Sequence, residues 1–160
     1  MDIEVRIGEI ALTKGKDTLT ASGVGSCVII ALYDPKLKIG ALAHALLPSR
    51  DGEGRPTEKG NRIRKKEIQN SRYTDIAIHK MLKKMESQGT KKEDLEAKIV
   101  GGANMFSAFE SDIGSDNVLS AKKKLKKEGI KIAGECVGGS QGRSVEFSLA
   151  SGIVTVKTKF

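Results

Sequence analysis

Residues 28 to 47 of this 160-residue chain read VIIALYDPKLKIGALAHALL. The first six residues are apolar and rich in β-branched side chains, which predicts a strand that is buried on both faces. Asp34 and Pro35 favour a turn. A second apolar run then extends from Ile39 until Pro48 stops it. The two runs are therefore predicted to pair as a hairpin, with Cys27 near one end and His44 further along.

The other elements follow from hydrophobic periodicity. Helical spacing predicts one helix that ends at Gly89, and a second that is capped by Ser115 and ends at Gly129. The polar, glycine-containing segment 49–70 is interpreted as a long mobile loop. Alternating apolar residues predict further strands near residues 3–7, 18–21, 95–100, 130–137, 145–149 and 154–156.

This element order predicts the fold class. We expect an α/β protein with α+β-like layering: a mixed sheet system of about seven or eight strands and two main helices. The length of 160 residues fits a single domain over residues 1–160.

The composition excludes several classes of protein. Hydrophobic residues make up 38% and charged residues 30% of the chain, which is typical of a globular protein rather than a disordered one. The longest uninterrupted apolar run is six residues, too short to cross a membrane. The N-terminus alternates apolar and acidic residues, unlike a signal peptide. The protein is therefore predicted to be cytoplasmic, without membrane insertion.

The charge is basic, with 28 Lys and Arg against 20 Asp and Glu, a net +8. Such a balance is typical of nucleic-acid-binding proteins. However, the positive residues concentrate at 50–72, 80–92 and 122–131, and two of these segments fit solvent faces of amphipathic helices. Few aromatic residues lie among them to stack on bases. Nucleic-acid binding is therefore the least favoured function, whereas an acidic protein partner is compatible with the charge.

Two cysteines and two histidines are the candidates for metal or redox chemistry: Cys27, Cys136, His44 and His79. Their spacing matches no compact zinc motif, and a disulfide is not expected in a cytosolic chain. No metal or other cofactor is predicted. Cys136 lies in a predicted strand and is assigned a structural role.

Cys27 follows the glycine-containing loop GVGS at residues 23–26. Backbone N–H groups near Gly25 and Ser26 would stabilise a thiolate and a developing oxyanion. The commoner fate of a free cysteine is a buried structural position, and the same holds for a lone histidine such as His44 in an apolar run. If the hairpin brings the two together, they supply the minimum for thiol acyl transfer: the imidazole activates the thiol and then protonates the leaving amine.

A longer pattern accompanies the pair. The sequence GVGSCV at 23–28 is followed by Ala43-His44 and by Leu47-Pro48. Further segments, in order, are Gly8-Glu9, Tyr73-Thr74-Asp75, Lys98-Ile99, GGANMF at 101–106, Ile113-Gly114 with Asn117, Gly138-Gly139 and RSVEF at 143–147. This ordered set spans essentially the whole chain and resembles the chemoreceptor glutamine deamidases, the CheD family.

The resemblance implies an enzyme of chemotaxis adaptation. Such proteins convert particular Gln side chains on the cytoplasmic helices of chemoreceptors (methyl-accepting chemotaxis proteins) to Glu with release of ammonia, and some also hydrolyse receptor methyl-glutamate esters. The family's nucleophile falls on Cys27 and its histidine on His44. A CheC-type phosphatase is a second implied partner. Met105 and Phe106 match a region expected to bind it, with core packing as the alternative. The free protein is expected to be a monomer.

The sequence departs from the family pattern at residue 21. Family members commonly place a Thr six residues before the cysteine to orient the histidine, and here that residue is Ala21. Thr20 and Ser22 lie beside it, but strand alternation points them to the opposite face. Three outcomes stay open: Thr20 or Ser22 acts through a bulge, a backbone carbonyl orients His44, or activity is reduced. The last would leave a regulatory module that binds a CheC-type phosphatase or receptors.

Overall fold

The computed structural model describes residues 1–49, 71–104 and 112–158. The predicted loop at 49–70 lies outside these ranges apart from Ser49. The strands are β1 Asp2–Glu4, β2 Ile10–Lys14, β3 Thr18–Val24, β4 Val28–Asp34, β5 Ile39–Ala45, β6 Glu96–Gly101, β7 Lys131–Val137, β8 Arg143–Ser148 and β9 Val154–Thr158. The helices are α1 Thr74–Ser87 and α2 Ile113–Lys127, with a short 3₁₀ helix at Lys92–Asp94.

These elements confirm the predicted mixed α/β class. The described residues contain nine strands rather than seven or eight, and the strand that the sequence did not reveal is β2. Its residues Ile10, Ala11 and Leu12 are consecutive apolar residues without alternation. In the structure β2 is the outermost strand of its sheet and pairs only with β5. All five of its residues keep some solvent exposure. The strand therefore shows neither the alternation of a half-buried strand nor the long apolar run of a fully buried one.

The strands form two sheets, ordered β1-β3-β8-β9 and β2-β5-β4-β6-β7. Strands β4 and β5 pair antiparallel, with Val28 opposite Ala45 and Ile29 opposite His44, which confirms the predicted hairpin. Every residue of both strands is buried. The hairpin therefore forms the middle of the five-stranded sheet and is covered on both faces.

Two apolar cores lie on either side of this hairpin. One lies between the five-stranded sheet and the helices, and includes Ile30, Ala43 and Leu125. The other lies between the two sheets, and we call it the inter-sheet core; its buried residues are Val5, Leu19, Ala21, Val24, Ile29, Ala31, Tyr33, Leu42, Val100, Val145, Phe147 and Leu149. The described part of the chain is thus a three-layer stack of four-stranded sheet, five-stranded sheet and helices.

The helix ends agree with the sequence except at one cap. Gly89 and Gly129 follow the two helices with φ of +96° and +73°, the left-handed conformation that glycine adopts readily at this position. The predicted cap Ser115 is wrong, because the cap of α2 is Asp112, whose carboxylate accepts a 2.9 Å hydrogen bond from the Ser115 N–H. Over the described ranges, neither helix has the length and hydrophobicity needed to cross a membrane.

Candidate active site

Cys27 lies in the three-residue loop 25–27 that joins β3 to β4, and only 5% of it is exposed. Two backbone hydrogen bonds anchor this loop to the segment that follows β6. The Gly102 N–H donates to the Cys27 carbonyl at 2.8 Å, and the Ala103 N–H donates to the Gly25 carbonyl at 3.0 Å. The carbonyl groups on both sides of the loop are therefore held by a neighbouring chain segment.

The N–H groups of loop 25–27, unlike its carbonyl groups, are not held by the segment that follows β6. Outside the strand ladders, no hydrogen bond ties the N–H of Ser26 or Cys27 to a backbone carbonyl of the described residues. Burial raises the pKa of the Cys27 thiol, and hydrogen bonding from its own backbone N–H offsets part of that rise. The loop thus supplies the donors that an oxyanion would need beside the thiol.

His44 lies in β5 and is 2% exposed. Its Nδ1 lies 3.2 Å from the Val5 carbonyl oxygen, which can only accept, so Nδ1 carries the ring hydrogen. The Nε2 atom is then the basic nitrogen, and it has no hydrogen-bond partner among the described residues. Burial lowers the pKa of His44, and the Val5 hydrogen bond offsets only part of that effect. The histidine is therefore held as a neutral base with its lone pair free.

Cys27 directly precedes β4, and His44 lies in β5, the strand that pairs with β4. Ile29 lies opposite His44 in the β4–β5 ladder, and Cys27 precedes Ile29 by two residues. Because side chains alternate along a strand, continuing the alternation of β4 by two residues puts residue 27 on the face of Ile29, and we expect the Cys27 and His44 side chains to lie near each other. No hydrogen bond joins the two side chains in this part of the structure. Hydrogen bonds between catalytic groups often shorten only once substrate is bound.

The two hydroxyl residues proposed to orient the histidine contact other groups. Thr20 Oγ1 donates to the Ile3 carbonyl at 3.5 Å, and Ser22 is exposed. A bulge does occur here, since the pairing of β3 with β8 shifts between Ala21 and Val24, but it leaves Ser22 facing solvent. The structure does not bring either hydroxyl to His44. Of the three alternatives, the structure contains the backbone carbonyl at His44, that of Val5.

The segment that supplies this carbonyl wraps around the histidine. The Val5 N–H donates to the Thr20 carbonyl at 2.7 Å, which holds residue 5 against β3. The Gly8 N–H donates to the His44 carbonyl, and the His44 N–H donates to the Glu9 carbonyl. Sequence reasoning missed the role of Val5 because a carbonyl group is common to every residue and leaves no signal in the sequence.

A buried amide connects the cysteine loop to the end of β5. Asn117, on α2, is fully buried, and its Nδ2 donates to the Ser26 carbonyl at 2.8 Å and to the Leu46 carbonyl at 3.0 Å. The sequence presented Asn117 only as one residue of the family pattern, with no role attached to it.

Other predicted residues lie apart from the pair. Met105 and Phe106 fall outside the described residues. Asn104 and Asp112 are the described residues on either side of segment 105–111. Both help to line a cavity of about 260 Å³ that is also lined by Gly102. Cys136 is half-buried in β7, and both cysteines are free thiols. In the described ranges, no three His, Cys, Asp or Glu side chains cluster as metal ligands.

The chain is similar in sequence to known proteins over most of its length. Residues 47–158 match the family model for CheD, described as CheD chemotactic sensory transduction. A chemoreceptor glutamine deamidase CheD of Thermotoga maritima is 38% identical over 153 residues, which covers 96% of this chain and 89% of the relative. The chain belongs to the CheD family.

The other CheD relatives extend the match over the N-terminal residues as well. A probable chemoreceptor glutamine deamidase CheD of Clostridium novyi is 42% identical and covers 97% of this chain and 93% of its own. A probable chemoreceptor glutamine deamidase CheD of Pyrococcus abyssi is 40% identical, and the match covers 98% of this chain and 91% of the relative. These long matches matter because Cys27 and His44 precede the region matched by the family model.

Proposed function

We propose that this CheD-family protein is a protein-glutamine deamidase that converts specific Gln side chains of chemoreceptor cytoplasmic helices to Glu, with release of ammonia, in chemotaxis adaptation. The names of the relatives support the activity and the substrate. The observation that carries the mechanism is the state of His44. Its Nδ1 is fixed by the Val5 carbonyl and its Nε2 lone pair is free, on the strand face shared with Cys27.

The first proposed step forms a thioester. His44 Nε2 takes the thiol proton while Cys27 Sγ attacks the carboxamide carbon of the substrate Gln. The carbonyl π electrons move to oxygen, and the oxyanion is stabilised by N–H groups of loop 25–27. When the tetrahedral intermediate collapses, the C–N bond breaks and the imidazolium gives its proton to the leaving nitrogen. Ammonia departs, and the acyl group remains on Sγ.

The second step is hydrolysis. His44 Nε2 now takes a proton from water as the water oxygen attacks the thioester carbon. The C–S bond breaks, Sγ regains a proton from the imidazolium, and the substrate leaves as Glu. General acid–base catalysis of this kind contributes about 10² to 10⁴-fold to the rate. The same chemistry applies to a methyl-glutamate ester, with methanol as the leaving group. Neither step uses a metal or an organic cofactor.

The electrostatics favour a neutral resting pair over a thiolate–imidazolium ion pair. Burial raises the pKa of Cys27 and lowers that of His44, so both shifts disfavour charge in the free protein. Proton transfer therefore accompanies the attack on the substrate instead of preceding it. This makes the tautomer of His44 important, because only an unprotonated Nε2 can accept the thiol proton.

We also propose the remaining properties of the protein from its family resemblance. A CheC-type phosphatase is the second partner, with Met105 and Phe106 as its contact residues. The free protein is a cytoplasmic monomer. Its net charge of +8 suits acidic partner surfaces.

A second candidate function is a regulatory module that binds receptors or a CheC-type phosphatase without efficient catalysis. Two observations favour it: Ala21 stands where the family commonly has a hydroxyl, and burial raises the pKa of Cys27 although reactive cysteines usually have a lowered one. Catalysis distinguishes the two candidates, since binding to partners is common to both.

The deciding experiment measures ammonia release from a cognate receptor cytoplasmic fragment, with mass spectrometry to locate each Gln-to-Glu conversion. The unmodified protein and Cys27→Ala are compared side by side. We expect conversion of specific glutamines by the unmodified protein only, while Cys27→Ala keeps the fold. No conversion by either protein, with receptor binding retained, would establish the regulatory module. Conversion by Cys27→Ala would refute the thiol mechanism.

A further inference from the structure

We propose that Asn117 is a positioning residue that fixes the nucleophile loop to the histidine strand. The β4–β5 ladder ends at Val28 opposite Ala45, so the next two residues, Cys27 and Leu46, are not joined by it. The Asn117 side chain bridges this position, because one Nδ2 group donates to both the Ser26 and the Leu46 carbonyls. Asn117 thereby continues the connection between the two strands beyond the end of the ladder, next to Cys27. The kinetic part of this inference rests on the proposed deamidase function.

The bridge is rigid because α2 packs directly on the loop that anchors Cys27. Gly102 and Gly114 lie in backbone-to-backbone contact: a Cβ built on Gly102 would lie 2.8 Å from the Gly114 carbonyl oxygen, and one on Gly114 would lie 2.6 Å from the Gly102 carbonyl oxygen. These distances leave no room for a side chain between helix and loop. Asn117 lies one turn further along α2 than Gly114. It is therefore held at a fixed distance from the Ser26 carbonyl.

The hydrogen bonding of Asn117 points to positioning and not to maximal stability. Its Nδ2 hydrogens are both used, but its Oδ1 is buried without a partner among the described residues. A buried acceptor without a partner is destabilising. A leucine of similar size would remove that penalty while filling the space. The amide is therefore explained best by what its two donors hold together.

Loss of the bridge has a specific consequence for the reaction. The Leu46 N–H already donates to the Arg72 carbonyl, which draws the end of β5 away from β4. Without Asn117, loop 25–27 keeps its bonds to Gly102 and Ala103 but loses its connection to β5. The separation between Cys27 Sγ and His44 Nε2 is then free to change. A displacement of about 1 Å in such a pair lowers a rate by about 10²-fold.

The test compares Asn117→Leu with Thr74→Val as a matched control. Thr74 is also fully buried, and its Oγ1 donates to the Leu47 carbonyl, next to Leu46, without touching the cysteine loop. Both proteins carry Cys136→Ser, so that Cys27 is the sole thiol. Three quantities are measured: kcat and KM on the receptor fragment, the alkylation rate of Cys27 by iodoacetamide, and urea unfolding.

We expect Asn117→Leu to lower kcat by about 10²-fold with little change in KM, since Asn117 does not touch substrate. The alkylation rate of Cys27 should rise at the same time, because a released loop exposes a thiol that is now 5% accessible. Thr74→Val should lose stability without either change. Lower activity together with a more reactive thiol is not the result of simple unfolding when the control is equally destabilised.

The proposal is overturned if Asn117→Leu keeps the kcat and alkylation rate of the parent, or if Thr74→Val reproduces both changes. Should Asn117→Leu not fold, Asn117→Ala provides the same measurements, and failure of both to fold would assign the residue to folding instead. If the parent protein deamidates no receptor fragment, the proposed function fails, while the alkylation rates still decide whether Asn117 fixes the loop.

Discussion

A peptide carbonyl lies against His44 Nδ1 in this protein, in place of the threonine hydroxyl that the family resemblance implies. The Val5 oxygen and a hydroxyl oxygen can accept the same Nδ1 hydrogen and select the same tautomer. The difference lies in what holds each acceptor in place. A hydroxyl depends on one side-chain rotamer, whereas the Val5 carbonyl depends on the pairing of residue 5 with β3 through Thr20.

Restoring the family's hydroxyl by Ala21→Thr should therefore not increase deamidation. His44 Nδ1 already has an acceptor, and Ala21 is 1% exposed in the inter-sheet core, so the added hydroxyl is buried in an apolar site. We expect an unchanged or lower kcat, and a loss of about 1–3 kcal/mol in the free energy of unfolding. Steady-state kinetics and urea unfolding measure the two effects. An increase in kcat would show that the carbonyl is an inadequate substitute.

At the scale of secondary-structure elements, the sequence predicted most of the strands and helices that have a regular hydrophobic pattern of their own. The apolar runs of β4 and β5 identified a hairpin buried on both faces, and its register puts His44 opposite Ile29, two residues after Cys27. Contacts between distant segments could not be predicted in this way. Val5 and His44 are 39 residues apart in the sequence. Asn117 is 91 residues from Ser26 and 71 residues from Leu46. Such contacts depend on how layers pack, which periodicity does not encode.

The cap of α2 provides a direct test of local sequence reasoning. Asp112 accepts the hydrogen bond from the Ser115 N–H, and its charge also suits the positive end of the helix. We expect Asp112→Ala to destabilise the protein by about 0.5–2 kcal/mol. Ser115→Ala should leave the free energy of unfolding almost unchanged, since the Ser115 contribution is its backbone N–H. Thermal or urea unfolding of the two variants decides, and the reverse ranking would restore Ser115 as the cap.

The contact of α2 with the loop after β6 should be sensitive to a single methyl group. Gly102 has φ of +66° and an added Cβ would lie 2.8 Å from the Gly114 carbonyl oxygen. Gly129 is the matched control, because it has φ of +73° but nothing within 4 Å of an added Cβ. Gly129→Ala should lose about 1–3 kcal/mol from backbone strain alone.

Gly102→Ala should lose more stability than this control and should also lose deamidase activity, since the displaced segment anchors the Cys27 carbonyl. Urea unfolding and ammonia release are measured for both variants. Equal losses of stability, with activity retained in Gly102→Ala, would show that the helix does not need this close approach.

In the whole molecule, His44 is enclosed between layers and only 2% exposed, and this burial makes stability depend on pH. His44 has a lowered pKa in the folded state, so the unfolded chain binds its proton more readily. Stability therefore falls as pH drops below the ordinary value of about 6.5 for His. The Glu128 carboxylate, paired with Lys92 and Lys124, has its pKa lowered to about 2, so its contribution is lost only between about pH 4.5 and 2.

The window between pH 6.5 and 5 should consequently report on His44. We expect the free energy of unfolding to decrease across this window in the parent protein, and to decrease less in His44→Gln, which cannot be protonated. Urea unfolding at a series of pH values gives the two slopes. Equal slopes for the two proteins would mean that the histidine is as easily protonated in the fold as out of it.

The order in which a ribosome releases the chain gives the anchoring of loop 25–27 a further meaning. Val5, Cys27 and His44 are synthesised within 40 residues of one another. Gly102 and Ala103, whose N–H groups hold the carbonyls of that loop, follow Cys27 by about 75 residues. During synthesis the nascent chain thus carries both reacting side chains well before it has the backbone that fixes their geometry. The geometry that we propose for catalysis is therefore complete only once residues 102 and 103 have been synthesised.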